Sequence, residues 1–278
     1  MFWSGIADEA GAPLDRQMAA HKELGWTHIE LRKVNDTTAA NASDDEFKRI
    51  HEQLNEAGMQ VSCFAGAIAN WARDVTDPFE PDIEELKRSI PRMQATGTKF
   101  VRIMSYVNNN GLSDAEWRKE ALRRIGELAR MAEDGGVVLV HENCHGWASQ
   151  SPENIQIMLG EINSPALKVV FDTGNSTGEE RSSFDFCKGL DPEEIVYVHV
   201  KDIKLGQGAT WPGEGDSEVA RTIEDLLKNG YDGGLSIEPH MAAVIHLDKE
   251  SDPEHMFKTY VEYGRRAMAL VEEIQSRI

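Results

Sequence analysis

Short apolar runs alternate with longer amphipathic stretches from one end of this 278-residue chain to the other. Candidate strands lie at 3–7 (WSGIA), 27–32 (THIELR), 60–65 (QVSCFA), 99–104 (KFVRIM), 136–142, 167–172, 195–200 and 234–238. Most are β-branched or aromatic and nearly continuously apolar, as strands covered on both faces must be. Helical periodicity fills 13–24, 43–57, 82–96, 114–134, 152–161, 218–229 and 253–276. Between the sixth and seventh strands there is only a short helical patch near 184–188. Ser43 with Glu46, and Ser113 with Glu116, read as capping boxes. Gly25, Gly58, Gly97, Gly135 and Gly230 each follow a helix, the place where a left-handed residue ends one. The joins HKELGWTHIEL and LLKNGYDGGLSIE repeat one unit of helix, glycine, turn and strand. Eight strands and about eight helices in one series predict an α/β chain folded as a single closed (β/α)8 barrel over 1–278. An open doubly wound sheet is the alternative. No GxGxxG follows the first strand, so its dinucleotide-binding form lacks its fingerprint.

In a parallel barrel every strand ends on the same rim. Glu142 (VVLVHE), Asp172 (LKVVFD), His199 (IVYVHV) and Glu238 (GLSIE) close four successive strands. Their spacings, 172−142 = 30, 199−172 = 27 and 238−199 = 39, are each about one strand–helix unit. Singly, each has a plain reading. Glu142 and Glu238 suit solvated strand ends, Asp172 suits an Asx turn, and His199 suits a hydrogen-bonded core position. Together they converge on one point of the rim. Three carboxylates and an imidazole form a hard, oxygen-rich donor set for one divalent metal ion. Mn²⁺ is the leading expectation, with Mg²⁺, Co²⁺, Fe²⁺ or Zn²⁺ also suited. Four protein ligands leave room for two neighbouring substrate oxygens.

Charge and cysteine content narrow the function classes. With 48 acidic and 29 basic residues the net charge is −19, which repels phosphate backbones and anionic membranes. No nucleic-acid or membrane partner is expected. Cys63, Cys144 and Cys187 are widely spaced with no CxxC, which argues for a reducing compartment and against a disulfide framework. MFWSGIADEAG has no basic segment leading into an apolar run, and no stretch is apolar enough for a membrane span. A cytoplasmic location is therefore expected.

The strand-end motifs HENCHG, FDTGN, VHVKD and SIEPH, with the WPGEGD loop between the last two, resemble the xylose-isomerase-like barrel superfamily. Within it the chain looks like the sugar (phosphate) isomerase/epimerase branch, with its ketose 3-epimerase, inosose isomerase/dehydratase and hydroxypyruvate isomerase relatives. The resemblance covers essentially the whole chain. It implies that Glu142, Asp172, His199 and Glu238 are metal ligands, and that Glu142 and Glu238 also exchange protons with substrate. It further implies a small carbohydrate or polyol substrate and the tendency of relatives to form homo-oligomers. Two positions depart from the epimerase pattern. Asn175 stands where those enzymes commonly carry a histidine three residues after the strand-six aspartate. Lys201-Asp202-Ile203-Lys204-Leu205 lacks the arginine often found beyond the strand-seven histidine. The abasic-site endonuclease cousin needs extra histidines that the CFAG and RIMSY segments do not supply.

Further substrate-binding candidates are His145, above the rim after Glu142; Lys201, on the strand face of His199; Glu30, paired with Arg32 at the end of strand two; Trp71, beside Asn70 after strand three; and His240, two past Glu238. Each also has a structural reading: surface histidine, salt bridge, loop packing. No clustered phosphate cradle is visible, which favours a non-phosphorylated substrate. The expectation is a metal-dependent isomerase or epimerase of a sugar, keto-sugar or inositol-type molecule. Elimination at the same site is the runner-up, and a catalytically weak accessory subunit is the reading from a different class.

Overall fold

The computed structural model describes all residues except Asp36 and 245–248, and the side chains of all the rest but 249 and 250. The eight expected strands form one sheet: β1 (Phe2–Gly5), β2 (His28–Leu31), β3 (Gln60–Ile68), β4 (Phe100–Ser105), β5 (Val138–Gly146), β6 (Leu167–Asp172), β7 (Ile195–Val200) and β8 (Gly234–Ile237). From β2 to β8 each strand pairs in parallel with its sequence neighbour, and β1 pairs in parallel with β8. A parallel bridge from Ile6 to Glu30 brings the two ends of the sheet together. This is the closed barrel; the doubly wound alternative is excluded.

Around it lie α1 (Leu14–Glu23), α2 (Asp44–Ala57), α3 (Glu80–Thr96), α4 (Asp114–Asp134), α5 (Pro152–Ile162), α6 (Ser183–Lys188), α7 (Val219–Lys228) and α8 (Pro253–Gln275). α6 is as short as its weak pattern implied, and one helical turn, Asn175–Gly178, precedes it. The Ser113 capping box is complete, whereas at Ser43 only the bond from Glu46 N to Ser43 Oγ forms. Gly58 and Gly97 end their helices left-handed, at φ 67° and 71°. After α4 the left-handed residue is Gly136 (φ 66°), not Gly135. Gly135 serves packing instead, because a Cβ there would lie 2.7 Å from the Ile90 side chain.

Alternation along the strands decides what enters the barrel. Cys63, Val140, Val170 and Tyr197 pack together as an apolar plug inside it. Tyr197 Oη and Ser62 Oγ are 2.9 Å apart, and Ser62 Oγ and Ser4 Oγ 2.8 Å, so the polar atoms at this level satisfy one another. One pleat further toward the C-terminal rim the same faces present Glu142, Asp172, His199, Glu238 and Arg102. The sequence places an acidic and basic layer directly above an apolar one.

Three two-stranded ribbons escaped the sequence reading: Lys33–Val34 with Thr37–Thr38, Asp202–Lys204 with Gly208–Thr210, and Ala243–Val244 with Lys249–Glu250. Two or three residues per strand are too few to show a period. They follow β2, β7 and β8, so all rise from the ligand-bearing rim. Among the described residues no helix is long and apolar enough to cross a membrane.

Candidate metal centre

The four strand-end residues come together. One ligand atom from each of Glu142, Asp172, His199 and Glu238 lies within 4.8 Å of all the others, and all four residues are buried. Each is held from behind by different groups. Glu142 Oε1 accepts from Asn175 Nδ2 (3.1 Å), and Oε2 faces Arg102 Nη1 at 3.3 Å. Asp172 Oδ1 accepts the amides of Gly174 (2.8 Å) and Asn175 (2.7 Å), so Asp172 does make the Asx turn. That turn occupies only Oδ1 and aims Oδ2 at the cluster. Asn143 clamps the Asp172 backbone through both its N–H and its carbonyl. Glu238 Oε2 accepts from Lys201 Nζ at 2.8 Å, and Oε1 lies 3.4 Å from Arg32 Nη1 and 3.3 Å from His240 Nε2.

His199 Nε2 is 3.2 Å from Glu30 Oε1. A carboxylate accepts only, so Nε2 carries a proton; Nδ1 lies 3.5 Å from Glu142, and because Glu30 and Glu142 together raise the imidazole well above its ordinary value, Nδ1 would give up its proton to bind a cation. A ligating histidine held by an outer carboxylate is the arrangement that fixes its tautomer. Three buried atoms of the cluster, Glu142 Oε2, Asp172 Oδ2 and His199 Nδ1, make no hydrogen bond, although the first two are ion-paired with Arg102 and Lys201. Four buried ligand atoms converging on one point match a cation's coordination shell.

Charge points the same way. The connected network holds six carboxylates, those of Asp8, Glu9, Glu30, Glu142, Asp172 and Glu238, against the cations Arg32, Arg102 and Lys201 and the His199 imidazole, which Glu30 and Glu142 raise well above its ordinary value. A divalent cation offsets most of the difference. Burial alone would raise Glu142, but Arg102 and His199 outweigh it and hold the carboxyl at about 2. Burial likewise opposes ionisation of Glu238, yet Lys201 and His240 keep it well below the usual range. At Asp172 burial wins and lifts the carboxyl to about 6. Lys201 lies 3.1 Å from Asp172 Oδ2 but is shared with Glu238, so it stabilises each only in part.

A cavity of about 780 Å³ opens above the centre. Glu142, Glu238, Arg32, Arg102 and Lys201 form its charged floor. Trp71, His145, His240 and Asn175 also line it. His145 is exposed, with Nδ1 3.0 Å from Cys144 Sγ. Lys201 is buried against two carboxylates, which is also its structural reading. Glu30 is the exception among the substrate-facing candidates. It is fully buried and does not line the cavity, with one oxygen toward His199 and the other accepting from Ser236 Oγ at 2.6 Å. Its place is beneath the histidine.

Asp8, Glu9 and Arg102 were not singled out in the sequence. Arg32 sits 3.0 Å from Asp8 and 3.3 Å from Glu9, and burial pushes the Glu9 carboxyl up to about 7. Glu9, Glu238 and His240 also approach one another closely enough to share an ion, but the Arg32 guanidinium already supplies positive charge there. A signal for these residues existed. The acidic ADEA follows the first strand at the same rim, and Arg102 interrupts the apolar run FVRIMS at an inward position. Asp202, in the VHVKD motif, accepts the amides of Gly213, Gly215 and Ser217 and so ties the WPGEGD loop to the end of β7.

Residues 18–265 match the family model described as xylose isomerase-like TIM barrel. The chain belongs to that family. A curated member, the inosose dehydratase of Clostridium botulinum (strain Alaska E43 / Type E3), is 20% identical over 249 residues, spanning 78% of this chain and 81% of that protein. Among solved structures, a zinc-bound IolI protein superposes with a TM-score of 0.76 at 15% identity, covering 99% of both chains. A D-tagatose 3-epimerase-like protein superposes with a TM-score of 0.76 at 18% identity, covering 100% of this chain and 99% of the other. At these identities the structural likeness speaks to the fold.

Proposed function

We propose that this xylose isomerase-like protein holds one divalent cation through Glu142, Asp172, His199 Nδ1 and Glu238 and abstracts a proton next to a carbonyl of a keto-sugar or cyclitol. The observation that carries the reading is the convergence of four buried ligand atoms from four successive strand ends on one point. The bound cation would polarise the substrate carbonyl and acidify the adjoining C–H bond. The chain supplies the rest. Glu142 and Glu238 line the cavity floor as candidate proton acceptors, each held by its own cation. Lys201 and Arg102 stand beside them, where negative charge developing on a substrate oxygen would be met by donors already in place. Asn175 orients Glu142 through its side-chain amide.

Isomerisation or epimerisation leads. Elimination from the same carbanion is the second reading. It is favoured by Asn175, which offers an amide where a titratable histidine would serve an epimerase, and by the dehydratase relative. Manganese is the first metal to try. The experiment is elemental analysis of protein purified without chelator, followed by turnover assays on keto-sugars and inosose. About one equivalent of metal per chain, with activity lost to chelator, supports the reading. A chain that carries no metal and takes up none from Mn²⁺ solution overturns it and moves the accessory-subunit reading first.

A further inference from the structure

β3 does not run evenly beside β4. Phe64 stands opposite Val101 and Ile68 opposite Ile103, so Ala65, Gly66 and Ala67 all lie across from Arg102. Three residues against one form a bulge, and a bulge frees backbone groups from the ladder. The carbonyl of Gly66 and the amide of Ala67 belong to one peptide, and each finds a partner outside the sheet. Ala67 N donates to Glu85 Oε1 at 2.7 Å. Arg102 Nη2 donates to Gly66 O at 3.3 Å. Arg102 Nη1 lies 3.3 Å from Glu142 Oε2, and its Nε is buried with no hydrogen-bond partner. The guanidinium of Arg102 therefore stands between a ligand carboxylate and one bulge carbonyl.

The bulge is held from α3. Asp82 and Glu85 are three residues apart on that helix and share a face. Asp82 Oδ1 accepts from Ala69 N at 3.2 Å, where the chain leaves β3 through a left-handed residue (φ 55°). Gly66 lets the helix carboxylate come close, since a Cβ there would stand 3.1 Å from Glu85 Oε1. Both carboxylates are buried, and burial raises both above their ordinary values. Burying a carboxylate is costly, and neither residue lines the cavity. The geometry gives Glu85 a use that does not require it to touch substrate.

We propose that Glu85 is a positioning residue for the metal centre: through the Gly66–Ala67 peptide it holds Arg102 against Glu142. Without an acceptor for Ala67 N the peptide is free to turn, and Arg102 loses the carbonyl that fixes one of its two Nη groups. This inference rests on the metal-centred reading above and deepens it.

The test uses the full chain, first without metal. The buried Nε–H of Arg102 should give a resolved heteronuclear NMR signal, assigned by its loss in Arg102→Met. Glu85→Leu should shift or broaden that signal. Glu85→Gln, whose side-chain oxygen can still accept from Ala67 N, should leave it in place. With Mn²⁺ added, chelator competition should show binding about tenfold weaker in Glu85→Leu and within about twofold of the parent in Glu85→Gln. Because Glu85 acts through Arg102, Glu85→Leu should change the affinity by less than about twofold in the Arg102→Met chain. A Glu85→Leu chain that keeps the parent's Arg102 signal overturns the proposal. So do equal losses of affinity with and without Arg102, which would make Glu85 a packing residue only, or a Glu85→Gln chain that behaves like Glu85→Leu. Should Glu85→Leu not fold, Glu85→Asp makes the same comparison, because it keeps the charge and loses the reach. If the parent takes up no Mn²⁺, the metal-centred reading fails while the Arg102 signal still decides this one, so the two failures are distinguishable.

Discussion

Replacing Glu30 by glutamine tests the centre without touching a candidate ligand. Glu30 is fully buried, between His199 Nε2 at 3.2 Å and Ser236 Oγ at 2.6 Å. Glutamine keeps the shape and can still accept a bond from Nε2–H, but it carries no charge. The charge-assisted bond is roughly twice as strong as its neutral counterpart, so about half of the hold on the imidazole is lost. Changes to such outer partners cost about 10- to 100-fold in metal affinity. A shape-preserving change belongs at the low end, about tenfold, or about 1.4 kcal/mol. Competition against a chromophoric chelator gives the dissociation constant for Mn²⁺ or Zn²⁺. Denaturant unfolding of the metal-free protein controls for general destabilisation. If Glu30→Gln binds metal as tightly as the parent while Glu238→Gln does not, the assignment of Nδ1 as the ligating atom, with Glu30 as its anchor, is wrong.

Other expectations are independent of that one. Glu142→Gln or Glu238→Gln should lower turnover by about 10²- to 10⁴-fold with circular dichroism unchanged; full activity in either variant removes it from proton transfer. Burial holds His21 and His141 at about 4, below the ordinary histidine value. The unfolded chain therefore binds more protons between the two values, so this contribution is complete above about pH 6.5 and is lost as pH falls toward 4, at up to about 1.4 kcal/mol per histidine per pH unit. Glu9 and Asp172, lifted by burial to about 7 and about 6, act in the opposite sense over the same range, so the contribution is read as the difference in urea midpoint between the parent and His21→Gln or His141→Gln from pH 7 to 4.5; a difference that does not change with pH would mean that the ring is not buried neutral.

The barrel was legible because its parallel strands are covered on both faces and announce themselves as apolar runs, and because glycine punctuates the helix ends. The ligand set was legible because its members stand at the one strand position where a polar residue interrupts such a run. The supporting charges were harder to see. Arg102 hides inside FVRIMS, where a single basic residue reads as noise until β4 is placed beside β5 and the guanidinium meets Glu142. Glu30 was read as a substrate group because its spacing shows only that it faces inward, and depth along the strand decides whether an inward residue meets substrate or another side chain. The bulge between Ile29 and Glu30 shifts the register of β2 against β3, and no sequence pattern marks it. β5 runs on to Gly146, beyond the expected end at Glu142, because a glycine at φ 105° can lie against Ser105, where a Cβ would approach the carbonyl carbon to 2.4 Å.

The unequal surroundings of Glu142 and Glu238 bear on which chemistry the centre favours. Inversion needs two bases of comparable strength on opposite faces of the substrate. Glu142 is held near 2 by Arg102 and His199 against the cost of burial, and Asn175 donates to it as well. Glu238 is shared among Lys201, Arg32 and His240, and of these Lys201 both approaches it most closely and lines the cavity. As negative charge builds on a substrate oxygen, Lys201 can turn toward it, and Glu238 then becomes the stronger base at the moment a proton must be taken. Arg102 is bound to the carbonyl of Gly66 as well as to Glu142, so Glu142 has no matching release. The asymmetry favours one-base chemistry: isomerisation, or elimination when a leaving group stands next to the carbanion. In D₂O, recovered substrate should therefore gain deuterium at the carbon beside the carbonyl with its configuration retained, as read by proton NMR. Deuterium incorporated with inversion would show that both carboxylates act, and the difference between their surroundings would then have no catalytic meaning.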